Sequence, residues 1–408
     1  MAVDSSDFLI YYQNTRGLRT KTIDFYQSVC AAFYDCISIT ESWLKSSVLS
    51  SELFPACYNV FRLDRDPLVS GKSDGGGVLL AVRDVFSAEC VPKWCNTNSI
   101  IEDLWVSVAL RGGKKLFICT VYIPPYATIN NYLQFLSKLD DLITKNINND
   151  FLLLGDFNLP NLNWQFNPND NDLFSQNATD PCSQSFSDSF FLNGLKQYNN
   201  VLNERNRILD LVMSNSLKVN VTKCDSPFVS VDSHHMPLDI SVNLTYSKNI
   251  SSNSYNKLKF ENADYITINN KIMSYDWKCL LGSSDIDTNV KLLYKILDDI
   301  VQAYVPTIVI RKSKYLLWFS RNTINLIKDK SKAHKKWKVF KGTADFANFS
   351  NLRKKVKKSI KTDYQTYTEQ TEENLNRDTK YFWSFINNKK KHEKFAFKNE
   401  VSGYTCLV

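Results

Sequence analysis

The chain has 408 residues, of which 43% are hydrophobic, 13% aromatic and 23% charged. These proportions exclude a collagen-like protein, a disulfide-stapled miniprotein and a wholly disordered chain, and the length allows two or three domains of about 100–200 residues. The net charge of +8 is uneven, because residues 301–408 carry 24 Lys and Arg against 9 Asp and Glu. Such asymmetry indicates a polyanionic partner, either nucleic acid or an anionic membrane surface.

Residues 8–245 alternate short strands with helices, which predicts a layered α/β architecture. Helices are predicted at 20–33 and 130–145 from apolar residues at a period near 3.6, and the polar stretch 161–180 is expected to be a surface loop. The predicted strands are rich in β-branched and aromatic residues: Phe8–Gln13, Cys36–Thr40, Gly77–Val82, Leu104–Leu110, Leu116–Tyr122, Phe151–Leu154 and Ile208–Met213.

A change in composition predicts the domain boundaries. The polar stretch 246–256 is expected to link a domain at 1–245 to a basic, mostly helical segment at 257–408. Trp and Tyr residues are interleaved with Lys and Arg runs such as Arg353–Lys358, a combination that favours sequence-independent, salt-sensitive contact with DNA, or alternatively RNA. A solvated charged surface is the other interpretation.

Cysteine usage and the absence of targeting signals indicate the compartment. The ten Cys lie in hydrophobic stretches without a CxxC pair, as in reduced intracellular proteins. The N-terminal sequence has no signal-peptide pattern, and the apolar run 300–310 is too short to cross a bilayer. We therefore expect an intracellular protein without a membrane segment.

Four short polar groups follow or lie in predicted strands, at 13–18, 40–43, 154–158 and the pair Asp210 and His235. Each alone is typical of a cap or a turn. Together they contain every group that phosphodiester hydrolysis needs. A hard cation such as Mg²⁺, with Mn²⁺ as the alternative, takes oxygen ligands and keeps several waters, so Glu41 and the Asn14 amide are the predicted metal ligands.

The remaining side chains of these groups have the chemistry for the other roles. Asp156 is predicted to position and deprotonate water, while Asn158 and Tyr122 donate hydrogen bonds to phosphate oxygens. His235 would donate to a nonbridging oxygen, and Asp210 would fix its tautomer.

The chain resembles the exonuclease–endonuclease–phosphatase superfamily, and within it the endonucleases of jockey-like non-LTR retrotransposons. The motifs that carry the resemblance occur in family order across residues 8–243: QNTRGLRTK, SITESWL, GGGVLLAVR, LWVSV, CTVYIPP, LLLGDFNLP, ILDLVMSN and SHHMPL. The resemblance implies a four-layered α/β sandwich of two sheets flanked by helices. It also implies a Mg²⁺-dependent nick in target DNA, made in the nucleus, whose 3′-hydroxyl primes reverse transcription.

Two positions depart from the family pattern. Arg16 stands where abasic-site endonucleases have an Asp, and a guanidinium cannot ligate Mg²⁺ but can hold a phosphate. His234 replaces the Asp that usually precedes the final His, and Asp232 is a nearby carboxylate that could substitute for it. Two alternatives therefore stay open: a catalytically weak or silent nucleic-acid-binding remnant of such an element, and an abasic-site repair nuclease of the same fold.

The C-terminal part carries a looser resemblance. The segments KSKYLLWFS at 312–320 and KYFWSFIN at 380–387 are similar to the connector that precedes the reverse transcriptase in these elements. No paired-Asp polymerase motif follows. We expect the intact element to encode the reverse transcriptase that this sequence lacks, and the gene to be truncated or partial.

Overall fold

The computed structural model describes residues 6–72, 74–95, 99–168, 172–176, 178–215, 217–244, 254–311 and 315–375, with 383, 386 and 387. The chain forms two compact units, one comprising Met1–Asn249 with Tyr315–Val408 and the other Ile250–Lys314. The predicted segment 257–408 is thus divided between the two units. Most of the predicted linker 246–256 and most of the motif at 380–387 lie outside the described residues.

The first unit contains most of the strands and helices. Its strands are β1 (Ser6–Asn14), β2 (Cys36–Thr40), β3 (Tyr58–Leu63), β4 (Val78–Arg83), β5 (Ala88–Cys90), β6 (Glu102–Ala109), β7 (Lys115–Tyr122), β8 (Asp150–Asp156), β9 (Asn163–Asn167), β10 (Asp172–Gln176), β11 (Lys196–Gln197), β12 (Asp210–Ser214), β13 (Val219–Lys223) and β14 (Leu238–Leu244). Its first four helices are α1 (Thr22–Ala31), α2 (Pro67–Ser70), α3 (Ile129–Lys145) and α4 (Pro181–Leu192).

These strands form two sheets that face each other. One has the order β13-β14-β1-β2-β4-β3 and the other the order β5-β6-β7-β8-β12-β11-β10-β9. The pairs β1–β2 and β7–β8 are parallel, so the carboxyl ends of the paired strands lie at the same edge of each sheet. This shared edge determines where polar residues that follow the strands can meet.

Alternation of side chains along the strands builds the layers. Phe8, Ile10 and Tyr12 of β1 point into the core between the sheets, while Tyr11 points outward into a second cluster with Phe25 of α1. Apolar residues of α3 and α4 cover the other sheet on its outer side. The predicted four-layered α/β sandwich is therefore confirmed.

Two long basic helices extend the layering of the same unit. They are α8 (Arg321–Phe340) and α9 (Thr343–Leu375), and both pack on the outer side of α1, where Tyr26 of α1 meets Ile327 of α8 and Ile360 of α9. Each apolar stripe is narrow, so most Lys and Arg side chains of these helices stay at the surface. The prediction of helices in this basic region is confirmed for the described residues.

The prediction of a surface loop at 161–180 was wrong, because this stretch contains the antiparallel strand pair β9–β10. This pair lies at the edge of the eight-stranded sheet. Edge strands bury few side chains, and most of those in β9 are at least partly exposed, so the sequence shows no apolar alternation there.

The second unit combines helices with a two-stranded antiparallel sheet. Its helices are α5 (Tyr265–Met273), α6 (Trp277–Leu280) and α7 (Ile286–Tyr304), and its strands β15 (Ser254–Leu258) and β16 (Thr307–Arg311) pair antiparallel. The helices agree with the mostly helical segment predicted for 257–408, whereas the two strands that flank them were not anticipated. Across the described part of the chain, no helix has the length and apolar character needed to cross a membrane.

Candidate active site

The predicted site residues come from the ends of strands in both sheets. Asn14 ends β1, Tyr122 ends β7, Asp156 ends β8 and Asp210 begins β12. Asp156 pairs in register with Tyr122 on one side and with Asp210 on the other. The topology therefore places these side chains, far apart in sequence, at one edge of the sandwich.

Asp156, Asp210 and His235 form the buried centre of this edge. One ligand atom from each lies within 4.8 Å of the others. The Nδ1 atom of His235 is 2.9 Å from Oδ2 of Asp210, and its Nε2 atom is 3.6 Å from Oδ2 of Asp156. The Asn14 amide, from the opposite sheet, donates to Oδ2 of Asp156 at 3.0 Å. A hydrogen-bonded set thus joins the two sheets through the predicted residues.

Tyr12 belongs to the same set, although sequence reasoning did not single it out. Its buried hydroxyl donates to Oδ1 of Asp210 at 2.6 Å and lies 3.0 Å from the Thr40 hydroxyl. Asp210 is therefore held from two sides, by Tyr12 and by His235. The signal was present in the sequence, since Tyr12 lies two positions before Asn14 on a strand and must share its face.

Burial and crowding of negative charge shift the proton affinities of this centre. Burial raises the pKa of Asp156 to about 8; the imidazolium of His235 opposes the shift, while Asp210 and Glu41 add to it. Burial lowers the pKa of His235, but the carboxylates of Asp210 and Asp156 outweigh it and raise this pKa to about 10. At neutral pH His235 is therefore an imidazolium that can donate from both ring nitrogens.

Glu41 and Tyr122 form the next part of the site. They are joined by a side-chain hydrogen bond, and burial followed by the charges of Glu41 and Asp156 raises the pKa of Tyr122 well above its usual value. The phenol therefore stays protonated and able to donate. The Trp43 indole donates to Oε2 of Glu41 at 3.0 Å, which orients the carboxylate.

Strained backbone is concentrated around these residues. Among the described non-glycine residues with positive φ, four lie at the site: Arg16 (42°), Glu41 (50°), Trp43 (52°) and Asn158 (47°). Residues other than glycine rarely adopt this backbone conformation, and residues that do so cluster at functional sites. The strain supports a functional rather than a purely structural role for this edge.

The turn after β8 shows why its sequence is GDFN. A Cβ on Gly155 would lie 1.9 Å from the carbonyl oxygen of Val121, so only glycine allows β7 to approach β8 here. The backbone N–H of Asn158 donates to Oδ1 of Asp156 at 3.1 Å, and its amide donates to the carbonyl of Ile123 at 2.7 Å. The turn therefore fixes Asp156, and the Asn158 amide retains one hydrogen for another acceptor.

Arg16 and Asp232 form an ion pair beside the centre. Nη1 of Arg16 lies 2.8 Å from Oδ2 of Asp232, and the Arg16 side chain is 54% exposed. The other oxygen of Asp232 accepts from the backbone N–H of His234 at 2.8 Å and lies 3.1 Å from its Nδ1 atom. Asp232 is thus engaged by Arg16 and His234, and the His235 ring is held by Asp210 instead.

A buried ion pair lies behind Tyr122 and was also missed. Nε of Arg65 is 2.6 Å from Oε1 of Glu102, with each side chain 7% exposed, and the Arg65 guanidinium lies 5.3 Å from the centre of the Tyr122 ring. The other oxygen of Glu102 accepts from the backbone N–H of Gly77, in the glycine turn that precedes β4. This pair ties the turn to the ring of Tyr122.

The donor set fits a hard divalent cation. Asp156, Asp210 and Glu41 supply carboxylate oxygens and Asn14 an amide oxygen, the ligand types that Mg²⁺ and Mn²⁺ prefer. Burial raises the pKa of Asp156, and the charges of Asp210 and Glu41 raise it further; a bound cation would relieve this repulsion between the carboxylates. Glu41 lies outside the three-residue cluster whose ligand atoms are within 4.8 Å of one another.

Comparisons with known proteins show a likeness to an endonuclease family over part of the chain. Residues 116–239 match the model of a family described as endonuclease-reverse transcriptase. A search of curated proteins found no match. The endonuclease domain of TRAS1, a telomere-specific non-LTR retrotransposon, is 14% identical over 59% of this chain and 100% of its own, with a TM-score of 0.41.

Two further solved structures show a comparable likeness. A Bacteroides thetaiotaomicron protein of the endonuclease/exonuclease/phosphatase family is 14% identical over 59% of this chain and 98% of its own, with a TM-score of 0.40. The catalytic domain of Xenopus laevis APE2 is 13% identical over 58% of this chain and 92% of its own, with a TM-score of 0.41. The likeness to the endonuclease family covers part of the candidate active site. The stretch matched by the family model contains five of the predicted site residues: Tyr122, Asp156, Asn158, Asp210 and His235.

Proposed function

We propose that the chain is a divalent-metal-dependent DNA endonuclease of a jockey-like non-LTR retrotransposon. It cuts one strand of target DNA in the nucleus and leaves a 3′-hydroxyl that primes reverse transcription. The observation that carries the proposal is the buried set in which Asn14 binds Asp156, and His235 lies between Asp156 and Asp210. A general base, a cationic donor and its orienting carboxylate are then within reach of one phosphate.

Asp156 acts as the base that positions and deprotonates water. A base is most effective when its pKa lies near the working pH, and burial brings the pKa of Asp156 to about 8. The Asn14 amide and the backbone N–H of Asn158 hold its two oxygens, so the carboxylate faces the site in one orientation.

His235 stabilises the negative charge that develops on the phosphate. Asp210 fixes the ring through Nδ1, which directs Nε2 towards the centre of the site, and Tyr12 fixes Asp210 in turn. Tyr122 and Asn158 donate to phosphate oxygens. The exposed guanidinium of Arg16 contacts a neighbouring phosphate of the DNA strand.

Glu41 and Asn14 are the residues that would hold the metal ion, beside the carboxylates of the centre. When bound, Mg²⁺ or Mn²⁺ supplies Lewis-acid polarisation of the phosphate and stabilises the leaving oxygen. Trp43 keeps the Glu41 carboxylate oriented towards the site.

The test is nicking of supercoiled plasmid by the full chain. We expect single nicks in Mg²⁺, none in EDTA, and loss of nicking in Asp156→Ala and His235→Ala with the fold preserved. Asp172→Ala is the matched control, because Asp172 is also buried but pairs with Lys196 on the edge of the sheet. Intact plasmid after prolonged incubation with stoichiometric protein would refute the proposal.

A weakly active nucleic-acid-binding protein is the second candidate. It is favoured by His234, which stands where a carboxylate is expected, and by the engagement of Asp232 with Arg16. The variant His234→Asp separates the two candidates. A large gain in nicking would support the weak enzyme, and an unchanged rate would support an enzyme that does not need this carboxylate.

A further inference from the structure

A second cationic feature lies away from the candidate active site. A cleft of about 800 Å³ separates α8 and α9 from the end of α1 and from β13 and β14. Seven Lys and Arg side chains and His334 line it, against three Asp. The cleft therefore has a clear excess of positive charge, and the proposed nuclease chemistry does not use it.

The most enclosed cations of the cleft lack acidic partners. Lys330 donates through Nζ to the carbonyl of Ala31 at 2.8 Å, and Arg353 donates through Nη1 to the carbonyl of Asp225 at 2.6 Å. Within the part of the chain that the structure describes, Lys330, Arg353 and Lys357 form no ion pair with a carboxylate. Lys330 and Arg353 thus have neutral oxygens as their hydrogen-bond partners, and the charge of Asp24 acts on Lys357 without forming an ion pair with it.

The aspartates of the cleft are occupied by other groups. Asp225 lies 3.3 Å from Nε2 of His334, and Asp239 lies 3.5 Å from Nζ of Lys338. The third, Asp7, is exposed at the start of β1. None of them neutralises the wall formed by Lys330, Arg353 and Lys357.

Crowding of cations disfavours their charged forms. Burial, followed by the charges of Lys357 and Arg353, lowers the pKa of Lys330 to about 8. A phosphate bound in the cleft would reverse this effect, because an anion near an ammonium group favours its protonated form. The arrangement is therefore better suited to a bound anion than to an empty cleft.

Size and surroundings indicate what kind of anion fits. The volume is that of a small-molecule site, so it takes a few units of one nucleic-acid strand but not a duplex. Aromatic side chains, including Phe33 and Tyr34, line the same cleft, and binders of single strands combine such rings with a basic groove. Exposed lysines continue from the cleft along α9, at Lys354, Lys358 and Lys361, which favours a polymer over a small anion.

We propose that this cleft binds a single-stranded nucleic acid through its backbone phosphates, with Lys330, Arg353 and Lys357 as the inner contacts. The site is separate from the catalytic edge. Leu9 lines the cleft and precedes Asn14 by five positions on β1, a separation of about 16 Å along a strand. A strand held in the cleft leaves the candidate active site free for target DNA.

The experiment measures binding of fluorescein-labelled 20-nucleotide single-stranded RNA and DNA to the full chain by anisotropy. EDTA is present, so that nicking does not contribute. The variant Lys335→Gln/Lys357→Gln removes two cations of the cleft. The matched control is Lys114→Gln/Lys115→Gln, at the exposed start of β7. For single strands the salt slope changes by about 0.7 per phosphate contact. We expect the cleft variant to lower the slope by about 1.4 and to weaken binding about 25-fold in 0.1 M salt.

The position of the bound strand is tested by photocrosslinking, with the same oligonucleotides carrying a 4-thiouridine or 4-thiothymidine base. The proposal requires crosslinks in α1, α8 or α9, and requires that a mononucleotide at equal phosphate concentration compete at least tenfold less well than the oligonucleotide. Three results would each overturn the proposal. They are equal affinity of the cleft variant and the control, crosslinks confined to the candidate active site, and equal competition by the mononucleotide. These results do not depend on nicking, so failure here and failure of the nuclease proposal are distinguishable.

Discussion

Replacing Asp210 with Asn should move the pH dependence of nicking to lower pH. Asp210 is buried and accepts from Nδ1 of His235 at 2.9 Å and from the Tyr12 hydroxyl at 2.6 Å. Asparagine keeps the shape of the side chain but removes the negative charge. The imidazolium of His235 then loses its strongest stabilising neighbour, and Asp156 loses one of the charges that raise its own pKa.

The structure sets the size of the effect. The pKa of His235 rises from 6.5 to about 10, which corresponds to about 5 kcal/mol at 1.36 kcal/mol per unit. Among the three carboxylates that raise this pKa, Asp210 contributes most, through both its charge and its hydrogen bond, so its loss removes at least half of that. The alkaline limb, where His235 loses its proton, should therefore fall by about two pH units. The acid limb, where Asp156 becomes ionised, should also move to lower pH.

The assay is the rate of plasmid nicking in Mg²⁺ between pH 6 and 10, paired with NMR titration of the histidines. The chain has only four His, which makes their assignment practical. Asp172→Asn is the control, since it changes a buried carboxylate that does not contact His235. If His235 titrates at the same pH in Asp210→Asn as in the unchanged protein, the electrostatic reasoning is wrong.

Three further predictions concern residues that shape the site. At pH 9 in EDTA, Asp156→Asn should unfold at a higher temperature than the unchanged protein. The pKa of Asp156 is raised to about 8, so the stability that this carboxyl group contributes is present at low pH and is lost as the pH rises through that value. Equal melting temperatures at pH 9 would count against this. Gly155→Ala should yield little folded protein, because its Cβ would meet the Val121 carbonyl at 1.9 Å; soluble, active protein would contradict the close approach. Arg65→Met should cost about 3–5 kcal/mol in urea unfolding by leaving Glu102 buried without its partner, and adding Glu102→Gln should restore much of that loss; a double variant no more stable than the single one would argue against the pair.

The sequence was sufficient to predict several of the residues that meet at the candidate active site, although not Tyr12. Asp156 and Tyr122 each end a strand that contains an apolar run, Phe151–Leu154 in β8 and Leu116–Cys119 in β7, and such buried runs are recognisable without knowledge of their neighbours. Parallel pairing then brings their ends together. The convergence of Asn14, Asp156, Asp210 and His235 is therefore a consequence of local patterns combined with the layered fold, whereas their catalytic roles stay predictions.

Other features could not be predicted because they depend on distances between elements. The Arg65–Glu102 pair joins a loop to β6, and nothing near either residue shows that the other lies beside it. The hairpin at β9 and β10 lacks apolar alternation because its side chains are largely exposed. The docking of α8 and α9 on α1 depends on small apolar stripes, such as the one that includes Ile327, within sequences dominated by charge.

The candidate active site is divided between the two sheets. Asn14 extends from one and Asp156 from the other, and their alignment depends on the spacing between the sheets, which interior contacts such as the Ser38–Thr120 hydroxyl pair at 2.9 Å maintain. A change of one methyl group deep in the sandwich alters that spacing without touching any reacting residue. Warming should loosen this spacing as well, so that the proposed nicking activity should be lost at a temperature below that at which the protein unfolds.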